Sequence, residues 1–270
     1  MALFAKIAYA DGVDTASLLA LRFVIAAVLL GGLAFARGAS FPQGRVLTNY
    51  MLMGVAYATM AWAYFSALHY ASSATVAMVL YVYPILVAVA AAALRIDHFG
   101  LPEGLALAFS SAGLSLVLGG AMQGSSVGFL LALVAALCYS GYIVIGSRNI
   151  VAVDAIACST VVLTTAAVCC LVLTLSRGPQ WPQSAGAWTA VVSVAVFGTA
   201  VAIAAFVAGL RRVGPTQAAV LSTLEPVVTV ALGIGFLGEK PTTSATVGGG
   251  LILVAAIGLT LARNRRKARA

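Results

Sequence analysis

Charge is scarce in this chain. Lys and Arg number 15 and Asp and Glu only 7, together 8% of 270 residues, against 62% hydrophobic. That is too little polar surface to cover a soluble domain of this length, and the mean hydropathy of +1.07 points the same way. Histidine is scarcer still. His69 and His98 both fall at the edges of apolar runs, so the cluster of two histidines and an acid that a membrane-embedded hydrolase needs is not there. No catalytic residue and no metal site is expected. The four cysteines, Cys138, Cys158, Cys169 and Cys170, lie inside apolar runs without zinc-like or disulfide-like spacing and read as small hydrophobes. A G-x-x-x-x-G-K-[ST] loop is missing too, so no nucleotide or other cofactor is expected and ATP-driven transport would need a separate subunit. Met1 to Ala10 has no charged region ahead of its apolar part and no A-x-A-like end, so it does not read as a secretory signal and insertion is expected to depend on the spans themselves.

What is present is a series of apolar runs of spanning length, at about 16–36, 47–68, 74–94, 103–121, 127–146, 155–176, 187–210, 215–237 and 243–262. The chain therefore reads as an all-α polytopic membrane protein with nine full spans. The opening MALFAKIAYA is too short for a tenth, since a crossing takes about 20 residues, and reads as the end of one.

The runs are duplicated. Leu68 and Leu210, Pro84 and Pro226, and Asp97 and Glu239 share an offset of 142; Asp14 and Asp154, and Arg37-Gly38 and Arg177-Gly178, share 140; Gly104 and Gly113 match Gly249 and Gly258 at 145. The first repeat is placed at 1–122, the second at 123–262, and a basic tail at 263–270. Met1 aligns with Gly141, inside a span, so the first helix is expected to lack its opening dozen or more residues. Five helices per unit make ten in all, with the first truncated, and an odd number forces the second unit to enter from the opposite side: the repeats are expected to be inverted. Loop charge agrees. Arg37, Arg45, Arg95, Arg148, Arg211, Arg212 and the tail residues Arg263, Arg265, Arg266, Lys267 and Arg269 fall on one side, only Arg177 and Lys240 on the other. Positive charge marks the cytoplasmic side, so both termini are expected there, and the net charge of +8 signals topology and attraction to anionic lipid rather than nucleic acid.

The run Pro215 to Leu237 carries Glu225 next to Pro226 near its middle, roughly 15 Å from either end. An acid at that depth costs about 2.5–3.5 kcal/mol on insertion scales and normally marks a pathway. The alternative is an acid that only hydrogen-bonds a neighbouring helix. Ala218, Ser222, Glu225, Thr229 and Gly233 share one helical face, and the matched prolines Pro84 and Pro226 remove helix hydrogen bonds to Leu80 and Ser222. Tyr83 stands where the second unit has Glu225. Tyr50, Tyr57 and Tyr64 share a face in the third helix, and Tyr139 and Tyr142 lie three apart in the sixth. Tyr50 reads as an interface anchor. Tyr57, Tyr64, Tyr139 and Tyr142 read either as an aromatic cavity wall or as core packing. Arg22 is placed to reach the outer surface along its long stem, Lys6 lines the cavity or pairs with Asp11 or Asp14, and Asp97, His98, Glu239 and Lys240 read as solvated loop residues.

The segments FAKIAYADGVDTASLLALRFVIAAVLL, LYVYPILVAVAAAL, LCYSGYIVIGSRN and AAVLSTLEPVVTVALGIGFLGEKPT, in that order and duplicated, resemble the EamA family of the drug/metabolite transporter superfamily over essentially the whole chain. The resemblance implies a ten-helix exporter or importer of small metabolites with a central cavity, and the expected location is the cell (inner) membrane. The reading is a secondary transporter, an exporter of amino-acid-like or other small amphipathic solutes, with candidate site residues Glu225, Ser222, Thr229, Tyr83, Tyr57, Tyr64, Tyr139 and Tyr142 and helix breaks at Pro84 and Pro226. Its partners are a small-molecule substrate and the bilayer, with proton coupling as one role open to Glu225. A channel or scaffold, or a truncated copy inactive in transport, is the alternative. Nothing in the sequence sets the oligomeric state.

Overall fold

Residues 7–119, 123–148, 154–228, 231 and 242–267 are described by a computed structural model. Among them regular structure is helical, and the one strand-like pairing is an isolated bridge between Ala71 and Gly124. In chain order the helices are α1 (Thr15–Ala36), α2 (Gly44–Ala67), α3 (Ser73–Leu80), α4 (Tyr83–Ala93), α5 (Leu101–Leu118), α6 (Ser126–Arg148), α7 (Ala155–Arg177), α8 (Ala185–Ala195), α9 (Ala202–Val213), α10 (Pro215–Ser222) and α11 (Thr243–Lys267). A six-residue π-helical segment, Val196–Val201, joins α8 to α9.

Among the described residues, seven stretches are long and apolar enough to cross a membrane: Thr15–Ala36, Ser73–Ala93, Leu101–Leu118, Ser126–Arg148, Ala155–Arg177, Ala185–Val213 and Thr243–Arg265. The run at 47–68 forms α2, which has the length but carries more polar residues. The run at 215–237 is described as far as 228 and at 231. Phe35, Leu101, Phe197 and Val172 stand exposed on the helices. For a chain whose solvent is hydrocarbon, such side chains belong on the outside.

Local chemistry recurs at the matched positions. Asp14 caps α1 by accepting from the Ala16 and Ser17 amides at 3.3 and 3.1 Å, and Asp154 caps α7 by accepting from Ile156 and Ala157 at 2.8 and 3.0 Å. Each carboxylate satisfies donors that a helix start leaves without intrahelical partners. After the same two helices, Gly38 and Gly178 take φ of +61° and +88°, a backbone region open to glycine.

The chain divides into two compact units, one comprising Met1–Phe65 and Ile145–Arg212, the other Ser66–Val144 and Val213–Ala270. In the first, α1 packs along α7. The Gln180 amide just beyond α7 donates to Ser17 Oγ at the start of α1, and Gly31 near the end of α1 faces Thr160 near the start of α7, so the pair is antiparallel. In the second unit α5 packs along α11. Glu103 near the start of α5 meets Arg263 near the end of α11, and Gly113 and Gly248 touch at the other ends, so this pair is antiparallel as well. A Cβ on Gly113 would sit 2.5 Å from the Gly248 carbonyl oxygen, and one on Gly248 would sit 2.4 Å from that of Gly113. Only glycine permits this approach, the small-residue packing that holds helices together where lipid removes the hydrophobic drive.

Two loop readings are corrected here. Asp97 is not simply solvated, and Arg263 is more than a topology signal. Arg263 Nη2 lies 2.9 Å from Asp97 Oδ2 and its Nε 3.3 Å from Glu103 Oε1, while Nη1 donates to the Val213 carbonyl at 3.2 Å. Glu103, its side chain 1% exposed, also accepts from the Gly100 amide at the start of α5. This network ties together the loop after α4, the start of α5, the α9–α10 junction and the end of α11. It exists because a carboxylate withdrawn from water needs a cation and donors around it.

Candidate functional site

The site begins with an interruption. α3 ends at Leu80 and α4 begins at Tyr83 with Pro84 in its first turn; α10 ends at Ser222, Thr223 forms a turn, and helix resumes over 224–228, which contains Pro226. Both helices stop four residues ahead of a proline, where the ring removes the N–H that would have bonded the last carbonyl. Both breaks lie in the second unit.

Glu225 follows the second break and is exposed, while Pro226 is buried. The Tyr81 hydroxyl donates to Glu225 Oε2 at 3.5 Å. Tyr83, two residues on, is 2% exposed and donates instead to the Ala219 carbonyl at 3.3 Å. Its own carbonyl accepts from Ser140 Oγ of α6 at 3.4 Å, so the first break is held from two sides. The Ser222 hydroxyl donates to the Ala218 carbonyl at 3.0 Å within α10. Thr229 lies outside the described residues.

Aromatic rings extend from this point. Tyr81 and Tyr83 are 5.9 Å apart between centroids; Tyr83 meets Tyr139 edge-on at 4.7 Å and 68°; Tyr139 stacks on Tyr142 at 5.8 Å and 10°. Spacings below about 7 Å with tilted or offset rings are attractive geometries. Four tyrosines from α3–α4 and α6 thus form one continuous aromatic run that reaches Glu225 through Tyr81. Tyr83 and Tyr142 are buried, so Tyr81 and Tyr139, which keep part of their surface, are the rings that can hold a small solute carrying a cationic group beside the Glu225 carboxylate.

Tyr57 and Tyr64 belong to the other unit. Tyr57 accepts from Arg22 Nη2 at 3.3 Å and packs 5.5 Å from Phe23; Tyr64 meets Phe65 edge-on. Arg22 does not reach the surface: it is 5% exposed, with its guanidinium 4.7 Å over the Phe23 ring. Tyr50 is buried, with its hydroxyl accepting from Arg211 Nη2 at 2.9 Å, and so is not an interfacial anchor. Tyr81, Arg22 and Glu103 were not singled out by spacing as site or network residues. The signal for Tyr81 was the pair of tyrosines flanking Val82 just before Pro84.

An EamA-like transporter family model matches residues 1–119 and 126–261. The chain is 26% identical over 247 residues to "Uncharacterized inner membrane transporter YedA" of Escherichia coli strain K12, covering 90% of this chain and 80% of that protein, with the same figures for its counterpart in Escherichia coli O157:H7. A crystal structure of a protein 24% identical in sequence superposes with a TM-score of 0.82, covering 96% of this chain and 92% of the other, which establishes a shared fold. With the family model matched on both halves, over apolar helices long enough to cross a membrane, the chain belongs to the EamA-like transporter family and is a multi-pass membrane transporter.

Proposed function

We propose that the chain is a secondary transporter that exports small amphipathic or amino-acid-like solutes across the inner membrane by alternating access, with both termini cytoplasmic and ten helices in two inverted repeats. The name of the Escherichia coli relatives supports the membrane assignment. Inversion is supported by the antiparallel packing of α1 on α7 and of α5 on α11, since each pair joins segments matched by the sequence offsets. Each compact unit also draws residues from both repeats. Inverted repeats with interrupted helices place substrate sites near the midplane, where one repeat can rock against the other.

The single observation that carries the reading is Glu225 beside a helix break, with Tyr81 donating to it. Glu225 is the central polar determinant, taking either the amine of the substrate or the proton exchanged for it. Ser222, Tyr83, Tyr139 and Tyr142, in the same unit, are assigned to it; helical spacing in the sequence adds Thr229, and Tyr57 and Tyr64 remain separate candidates within the first unit. Pro84 and Pro226 keep the two helices open. The test is a metabolite screen in proteoliposomes, with and without a proton gradient, on wild type and Glu225→Gln. The expected result is loss of gradient-driven accumulation in the variant. Substrate exchange at equal pH survives if the acid carries the proton and weakens if it binds the substrate. Wild-type rates and pH dependence in both modes would remove Glu225 from the mechanism.

A further inference from the structure

We infer that Arg45 and Arg148 form a binding site for the phosphate of an anionic phospholipid at one membrane end of the first unit. A cavity of about 380 Å³ is lined by Arg45, Val46, Asn49 and Leu52 of α2 and by Ile145 and Arg148 of α6. The arginines are far apart in sequence, and folding brings both to one opening.

Three observations converge on a phosphate. Both side chains carry guanidiniums, whose forked donors suit phosphate oxygens. No acid lines the cavity, and the salt bridges found among the described residues both use Arg263, so these two charges carry no carboxylate counter-ion there. Arg45 also sits in the first turn of the 24-residue α2, where helix N–H groups and the helix dipole add to the positive potential.

The walls decide in favour of a lipid over a free anion. Along α2 the lining passes from Arg45 through Asn49 to Leu52, a rise of roughly 10 Å from charge to hydrocarbon. Along α6 it passes from Arg148, the last residue of the helix, to Ile145. Charge lies at the helix ends and apolar surface toward the interior of the spans. That gradient repeats the one from headgroup to acyl chain, whereas a soluble phosphate ester gains nothing from Val46, Leu52 and Ile145. The same end is the one that loop charge assigns to the cytoplasm, and basic pockets between helices on that side suit anionic headgroups.

The experiment uses the purified full chain in detergent, titrated with phosphatidylglycerol, phosphatidylcholine or soluble glycerol 3-phosphate and read by native mass spectrometry. Wild type is expected to retain one phosphatidylglycerol at least tenfold more strongly than phosphatidylcholine, and Arg45→Gln/Arg148→Gln to lose that preference. Equal retention of the two lipids by wild type, or an unchanged preference in the double variant, overturns the site. Retention of glycerol 3-phosphate as strong as that of phosphatidylglycerol overturns the lipid assignment in favour of a soluble phosphate ester. Should the double variant fail to fold, a photoactivatable phosphatidylglycerol on wild type decides the matter: adducts are expected within 45–52 and 145–148, and adducts confined elsewhere refute the proposal.

Discussion

Tyr81, not Tyr83, is the tyrosine that donates to Glu225, across 3.5 Å from Oη to Oε2. The bond is at the long end of the range for a hydroxyl donor, so its worth lies at the low end for a hydrogen bond to a charged group. Tyr81→Phe is expected to weaken substrate binding by about 1.5 kcal/mol, roughly tenfold, while Tyr83→Phe acts mainly on stability through its lost bond to Ala219. Transport assays on both variants together with Glu225→Gln, analysed as a double-mutant cycle, separate the two. Additivity between Tyr81→Phe and Glu225→Gln would show that the contact carries no function.

The same pair shows where helical spacing stops being a guide. Pro84 and Pro226 are legible because proline has one local consequence wherever it sits, and Asp14 and Asp154 because an acid before an apolar run caps a helix. Face arithmetic assumes an unbroken helix, however. α3 ends at Leu80, so Tyr81 and Val82 leave the ladder and the rotation between Tyr81 and Tyr83 no longer follows 100° per residue. Arg263 poses a different problem. Among the basic residues of the tail it looks like any other, and only the packing of α11 on α5 sets it against Asp97 and Glu103. The scarcity of acids was the available hint, since two of the seven lie within one short stretch, at 97 and 103.

Removing Arg263 leaves Glu103 buried without its cation. Arg263→Ala is expected to destabilise the protein by about 3 kcal/mol, the low end for a broken buried pair, because Arg263 and Asp97 keep 12% and 14% of their side-chain surface. Arg263→Lys keeps the charge but cannot span both carboxylates and the Val213 carbonyl, so it is expected to fall between. Thermal unfolding in detergent measures both, and a variant as stable as wild type contradicts the assignment.

The crossing of α5 and α11 makes a steric prediction. Gly113→Ala and Gly248→Ala each push a methyl into the opposing backbone and are expected to cost about 1–3 kcal/mol. Gly250→Ala, on α11 but with nothing within 4 Å of the added Cβ, is expected to be neutral or to stabilise by up to about 1 kcal/mol. Equal effects at Gly248 and Gly250 would show that the helices have room to separate.

Asp11 gives a pH dependence outside the spans. Its carboxylate accepts from the Gln183 and Ser184 amides at 2.6 and 3.1 Å, and these backbone donors hold its pKa below the ordinary carboxylate value. A carboxyl depressed in the folded state contributes stability that is present above its unfolded pKa, about 4, and is lost as pH falls through the lower folded value. Asp11→Asn is therefore expected to loosen the segment before α8 at pH 7, seen as faster amide exchange at Gln183 and Ser184. The difference from wild type shrinks below about pH 4. A difference that persists undiminished at pH 2 would assign the effect to shape and not to charge.

Arg22 sets stability against function most sharply. Its guanidinium lies inside the first unit, 5% exposed, with Nη2 donating to Tyr57, one face over Phe23, and Nε without a hydrogen-bond partner among the described residues. It sits seven residues into α1, about 10 Å from the helix start and so within the hydrocarbon depth. A buried charge this thinly compensated destabilises the fold, and an apolar residue of similar length relieves that cost. Arg22→Met is therefore expected to unfold at the same temperature as wild type or higher. If Tyr57 serves transport, as the proposed function holds, and Arg22 positions its hydroxyl, the same variant loses at least tenfold in transport rate while Arg22→Lys retains part of it. Stability and transport measured on one preparation of each variant give the answer. A large fall in stability of Arg22→Met with transport per folded molecule unchanged would make Arg22 a packing residue.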